Sequence, residues 1–207
     1  MRTVMLFGDS NTHGTLPVSD LGGSARMPAA DRWTTHFANH LPQWDVIVEG
    51  QPGRTTVHDD PIEGAHRNGL TVLPALLESH APDSVVIMLG TNDLKPRFAA
   101  GPQDVAFGLE RLAKTIRAWR PDTHLMLIAP PAITESGPLA QMFAGGAAKS
   151  HHLTAEIAAA ARRAGTAFFD ASPHLAVSPI DGVHYTPDAM PAFGLALAEA
   201  FRHHFGN

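Results

Sequence analysis

Cysteine is absent from the 207 residues. Disulfides, thiolate metal sites and cysteine nucleophiles are therefore excluded. No apolar stretch approaches the roughly 20 residues needed to span a bilayer. The first apolar run stops at Gly8 with no small-residue cleavage site behind it, unlike a signal peptide. There is no run of lysine or arginine, and the formal net charge is -5. Nucleic acid and anionic membranes are poor partners for such a chain. Internal repeats and linkers are missing too. These absences point to a cytoplasmic protein built as one domain over residues 1–207, and the 44% of apolar residues suffice for a single buried core.

What is present is an alternation. Short apolar runs at 3–7, 44–48, 84–89, 124–129 and 166–169 read as strands. Between and after them, residues 30–40, 68–80, 103–119, 147–164 and 187–204 read as helices. Leu70, Leu73, Leu76 and Leu77 have helical spacing, as do Leu109, Leu112 and Ile116. Pro82 and Pro121 stand where they would stop the helices before them. Five strands separated by helices imply a mainly parallel sheet covered on both faces. Val85-Val86-Ile87-Met88-Leu89, apolar throughout, fits a central strand. The irregular stretches 16–28 and 130–146 both follow strand ends, where binding loops gather.

Polar residues collect at the carboxyl ends of these strands. The first strand is followed by Gly8-Asp9-Ser10-Asn11, the second by Gly50-Gln51-Pro52-Gly53-Arg54, and the third by Gly90-Thr91-Asn92-Asp93. Asp181-Gly182-Val183-His184 precedes the last helix. Ser10 reads either as a helix N-cap or as a nucleophile. His184 is one of thirteen histidines, yet its imidazole suits a general base, and Asp181 three residues earlier can orient it. Oxyanion donors are available in the Asn92 amide and in the backbone N–H groups of Gly53 and Ser10. Taken singly, Gly53 is a turn glycine and Asn92 an Asx turn or cap. Four loops on one rim with complementary roles make a stronger case together.

The four blocks resemble the SGNH, or GDSL-type, hydrolase superfamily, through Ser10, Gly53, Asn92 and His184. Similarity is greater to its bacterial arylesterase/acyltransferase branch, through Arg32-Trp33-Thr34, residues 49–56 and residues 87–93. The resemblance implies a three-layer α/β/α flavodoxin-like fold with a five-stranded parallel sheet. It implies hydrolysis of small acyl or aryl esters by a Ser10-His184-Asp181 triad, with Ser10, Gly53 and Asn92 forming the oxyanion hole. Acyl transfer to alcohols, or deacetylation of carbohydrates on the same triad, is the alternative activity. No metal and no cofactor is implied, and the partners are a small ester and further copies of the chain in a homo-oligomer. Asn11 replaces the leucine of the first block, a change expected to leave the chemistry untouched. His13 and Thr15 replace bulky aromatics of the branch's acyltransferase, which bears on acyl transfer and substrate size.

The substrate-lining candidates are Leu16, Met142, Phe143 and Val183, for which packing is an equal reading. Asp9 is expected to organise the turn. Arg54 pairs with Asp59, Asp60 or Asp93, or meets a substrate carboxylate. His151-His152 and His203-His204 are poor chelates, because neighbours on a helix diverge by about 100°. Two other functions fit parts of the pattern. A metallophosphoesterase would gather Asp9, His13, Asn92, Asp93 and His184 around metals, leaving Ser10 and Gly53 without a role. A flavodoxin-like binding module would use the same rim without chemistry.

Overall fold

The computed structural model describes residues 1–23 and 25–206. Five strands, β1 (Arg2–Gly8), β2 (Trp44–Gly50), β3 (Ser84–Met88), β4 (His124–Ala129) and β5 (Ala167–Asp170), form one sheet. It is parallel throughout, in the order β2-β1-β3-β4-β5. The chain steps from β1 outward to β2 and then crosses back to β3. The carboxyl ends of β1 and β3 are thus the point where the winding reverses, the crevice in which open α/β sheets bind ligands. Gly8 pairs with Gly50 on one side and Met88 on the other, so the three loops leaving these strands start at one level.

The helices are α1 (Ser10–His13), α2 (Trp33–Asn39), α3 (Gly69–His80), α4 (Pro102–Trp119), α5 (Gly146–Ser150), α6 (Leu153–Ala164) and α7 (Met190–Phe205). Side chains alternate across a strand, and the apolar runs here divide accordingly. Met5, Phe7, Val85, Ile87, Leu125 and Leu127 face a layer made from α3, α4 and α6. Val4, Leu6, Val86, Met88, Met126 and Ile128 face α2 and α7, where Trp33, Phe37, Phe193 and Phe201 pack edge to face. Three layers result. None of the described helices is long and apolar enough to cross a membrane.

Three expected helices differ in detail. Residues 147–164 form two helices instead of one. Ser150 Oγ donates to the Ala147 carbonyl and accepts the Ile133 N–H, which turns the chain at His151 and His152 toward the 130–146 loop. At the start of 30–40, Arg32 is extended and separates a short 3₁₀ turn, Ala29–Asp31, from α2. Pro187 does begin a helical turn, but a 3₁₀ one, and Thr186 makes no side-chain cap there.

Candidate active site

The cap before α1 is Asp9, whose Oδ1 accepts the Asn11 N–H at 2.9 Å. Ser10 is the first helical residue, so its hydroxyl is not needed for capping. The helix lasts one turn and stops at Gly14, which has φ +87°. It sits so close on β2 that a Cβ on Gly50 would lie 2.2 Å from the His13 nitrogen. Asn11 is more than a neutral substitute for leucine. Its Nδ2 donates to the Val183 carbonyl at 3.2 Å, and its own carbonyl accepts the Trp33 indole at 2.9 Å. The serine turn is thereby tied to the loop that carries His184.

That loop closes on Asp181. Its Oδ1 accepts the backbone N–H groups of Val183 and His184 at 3.0 and 2.9 Å. Its Oδ2 accepts the Val18 N–H at 2.8 Å and faces His184 Nδ1 at 2.7 Å. The far nitrogen of the ring, Nε2, lies 3.0 Å from Ser10 Oγ. A carboxylate against Nδ1 keeps the proton there and turns the lone pair of Nε2 toward the hydroxyl. Asp181 is fully buried and Ser10 nearly so.

The loops after β2 and β3 are locked together by Asp93. Its Oδ1 accepts the Thr56 hydroxyl at 2.5 Å and its Oδ2 the Thr56 N–H at 3.1 Å. Asn92 Nδ2 donates to the Arg54 carbonyl at 3.1 Å and approaches Asp9 Oδ2 at 3.4 Å. Gln51-Pro52-Gly53-Arg54 is a β-turn, with Arg54 N–H bonded to the Gln51 carbonyl at 3.1 Å. Proline at the second position and φ +76° at Gly53 make it type II. Arg54 pairs with none of the three expected carboxylates. Its guanidinium lies 4.2 Å over the Phe7 ring and donates to the carbonyls of Gly8 and Glu49 and to Gln51 Oε1. It thus holds the strand ends from beneath and is not turned toward a substrate.

Ser10, Gly53, Asn92 and His184 all open on one cleft of about 440 Å³. One wall is apolar, with Val18, Leu139, Met142, Phe143 and Val183. Leu16 is not among the lining residues; it packs, half-buried, on the apolar layer of α2 and α7. Beside it is a charged wall of Glu63, Arg67, Lys95 and Arg97, with Lys95 Nζ 5.7 Å from the centre of the Phe143 ring. Glu63 Oε1 accepts from Lys95 at 2.6 Å and from Arg97, which also pairs with Asp60 at 2.6 Å. Glu63 and Arg67 were not legible in the sequence, because mixed charges in an aperiodic stretch look like solvated surface. The i,i+4 spacing of Glu63 and Arg67 was the available signal.

A family model described as GDSL-like Lipase/Acylhydrolase matches residues 6–190. The chain belongs to this family. It is a carboxylic ester hydrolase of the GDSL type. No curated protein matches its sequence. Among solved structures, Est24, a carbohydrate acetylesterase from Sinorhizobium meliloti, is 35% identical, with a TM-score of 0.93 over 99% of this chain and 100% of that one. The aryl esterase of M. smegmatis is 34% identical, with a TM-score of 0.90 over 98% and 99% of the two chains.

The electrostatics of this GDSL hydrolase are uneven. Burial pushes Asp9 up to about 6, against the Asn11 N–H bond and the nearby His184 and Arg54. Asp93 adds to the upward push. Burial also acts on Asp181, but the bonds from the His184 ring and from the N–H groups of His184, Val183 and Val18 outweigh it and hold that carboxyl at about 2. Asp93 is taken up by Thr56, and no group of three or more metal-ligating side chains converges among the described residues.

The Asp9 shift has a testable sign. A folded pKa above the ordinary carboxylate value means that the folded protein takes up a proton before the unfolded chain does. Ionised Asp9 therefore costs about 3 kcal/mol at neutral pH, and the cost disappears as pH falls through 6 toward 4. Asp9→Asn keeps an acceptor for the Asn11 N–H and removes that pH dependence. Wild type should gain stability relative to Asp9→Asn between pH 7.5 and 5, measured by urea unfolding at both values. An unchanged difference would contradict an ionised, desolvated Asp9.

Proposed function

We propose that the chain hydrolyses small acyl or aryl esters through a Ser10 acyl-enzyme. The observation that carries this reading is the continuous chain Asp181–His184–Ser10, with links of 2.7 and 3.0 Å, opening on the cleft that also holds Gly53 and Asn92. Ser10 Oγ attacks the ester carbonyl carbon while His184 Nε2 takes its proton. Asp181 orients the ring and stabilises the imidazolium. The oxyanion is met by the N–H groups of Ser10 and Gly53 and by Asn92 Nδ2, which keeps the Arg54 carbonyl and gives up its longer contact, 3.4 Å to Asp9 Oδ2, to the developing charge. His184 then gives its proton to the departing alcohol. Water repeats the sequence on the acyl-enzyme and releases the acid.

The apolar wall suits a short acyl or aryl group. The charged wall favours a second reading, a carbohydrate O-acetylesterase, because fixed polar side chains can hydrogen-bond a hydroxylated alcohol; Est24 bears that name. Some transfer to alcohols belongs to the same reading. Thr15 lines the cleft and bonds to His13 at 3.1 Å, which leaves the mouth polar and water the main acceptor. So does a homo-oligomer, since Leu21 and Ile62, apolar side chains of the cleft, are 71% and 75% exposed. The test is a panel of nitrophenyl esters and acetylated sugars, with a primary alcohol added in one arm. It is run beside labelling by an organophosphonate and mapping of the adduct. The expected result is ester cleavage blocked by an adduct on Ser10. Turnover that survives labelling, or an adduct elsewhere, would overturn the proposal.

A further inference from the structure

The oxyanion role of Gly53 rests on which way one peptide unit faces. The N–H of Gly53 and the carbonyl of Pro52 belong to the same plane and point in opposite directions. Type I and type II turns differ by a flip of this central peptide, with the second central residue changing from φ of about -90° to about +80°. In the flipped state the Pro52 carbonyl would face the place where the Gly53 N–H now points. Glycine adopts both signs of φ readily, so Gly53 does not choose between the states. Nor does the bond from Arg54 N–H to the Gln51 carbonyl, since it closes either turn. Proline followed by glycine leans toward type II, but only as a preference.

The Pro52 carbonyl has one side-chain partner that does discriminate. Arg67 Nη1 donates to it at 2.5 Å. Arg67 is fixed at its backbone and flanked at its guanidinium. The Arg67 carbonyl accepts the Thr55 N–H at 2.9 Å, and its N–H donates to Gly64 at 3.0 Å. Arg67 Nε has no hydrogen-bond partner and lies 4.0 Å from Glu63 Oε2. Glu63 is held in turn by Lys95, three residues beyond Asn92. The same two side chains cover the Cα of Gly53: a Cβ there would lie 2.4 Å from Glu63 Oε2 and 3.2 Å from Arg67 Nε. The Gly53 N–H donates to no acceptor among the described residues.

We propose that Arg67 is a positioning residue that holds the Pro52–Gly53 peptide in the orientation presenting the Gly53 N–H to the oxyanion. Its charge on the carbonyl also polarises the peptide and makes the N–H a stronger donor. Arg67 acts through that peptide and exchanges no proton with the substrate. The inference rests on the oxyanion role proposed above for Gly53.

The experiment compares Arg67→Met, Arg67→Lys and Asn92→Ala with the wild type. Arg67→Gln is carried in parallel, to keep a polar side chain over Gly53 should Arg67→Met not fold. For Arg67→Met we expect kcat to fall by about 10- to 100-fold, less than the roughly 10²- to 10³-fold of a deleted donor such as Asn92. KM should change little, and Arg67→Lys should recover most of the loss, because an ammonium can still donate to the carbonyl. The second readout is the Gly53 amide proton in ¹⁵N-edited spectra of protein phosphonylated on Ser10, where the phosphonyl oxygen stands in for the oxyanion. Its downfield shift should be present in the wild type and reduced in Arg67→Met. Normal kcat with a normal Gly53 shift would overturn the proposal. A rise in KM with kcat preserved would also overturn it, by making Arg67 a direct substrate contact. If instead Ser10 is not labelled and Asn92→Ala is fully active, it is the ester-hydrolase reading that fails, not the role of Arg67 alone.

Discussion

Ser10→Ala and His184→Ala should each lower kcat by roughly 10⁵- to 10⁶-fold, and the double variant should be little worse than either single one. The reason lies in the geometry. Without the hydroxyl, His184 Nε2 has no proton to take. Without the imidazole, Ser10 Oγ loses its acceptor at 3.0 Å and remains a neutral alcohol of ordinary reactivity. Each deletion abolishes the same step, so the losses cannot add. A residual rate above the uncatalysed one, on the order of 10³-fold, should survive in both, because Asn92 and Gly53 remain. The fold should survive too. Ser10 lies on the edge of a cleft, and Asp181 keeps the N–H groups of Val18, Val183 and residue 184 when the ring is removed. Steady-state kinetics on purified variants, with unfolding curves beside them, give the answer. Turnover near the wild-type rate in folded Ser10→Ala would sink the nucleophile assignment.

How much of this architecture could be read in advance depended on the kind of signal. The β1 and β3 runs are apolar on both faces because helices cover both faces of the sheet, and that pattern is local. The strand ends followed from it, since Gly8 and Gly90 cut the runs off. That residues 8–11, 53 and 90–93 meet at one rim then follows from parallel winding, whereas residues 181–184, eleven beyond the end of the edge strand β5, are tied there by Asn11 and Val18. The charged wall was not legible in this way. Glu63, Arg67, Lys95 and Arg97 come from two loops without periodicity, and only the folded turn at Gly53 shows why they converge. Arg54 misled for a related reason. A lone arginine among aspartates suggests an ion pair, whereas the carbonyls of Gly8 and Glu49 and the ring of Phe7 are invisible as partners in a sequence. Leu16 was grouped with the cleft by its loop, but a loop has two sides, and its side chain takes the one facing the α2 and α7 layer. The break at His151 depends on Ser150 meeting the Ile133 N–H, a contact 17 residues away.

Asp181→Asn should combine a loss of rate with a loss of stability, and the two have different causes. The carboxylate accepts four hydrogen bonds, two on each oxygen. An amide can accept on one side only. If its oxygen keeps the Val183 and His184 N–H groups, its NH₂ faces both the Val18 N–H and His184 Nδ1. The ring then lowers its energy by moving its proton to Nε2, which leaves no lone pair for the Ser10 hydroxyl. The expected cost is roughly 10⁴-fold in kcat, with KM nearly unchanged because the cleft walls are intact. Stability follows from the low pKa. Asp181 sits at about 2, below the ordinary 3.8, so the folded state favours the ionised form by about 2 kcal/mol. That contribution is present above pH 4 and is lost as pH falls through 2. Wild type should therefore be more stable than Asp181→Asn at pH 7, and its advantage should shrink between pH 4 and pH 2. Release of the Val18 N–H should also loosen the 16–28 loop, seen as faster hydrogen exchange there than in β1. A folded Asp181→Asn protein within about tenfold of wild-type kcat would show that His184 holds its tautomer without the carboxylate, since a wrong tautomer alone is worth far more than that. In that case Asp181 would remain only the anchor of Val18 and of the loop that carries His184.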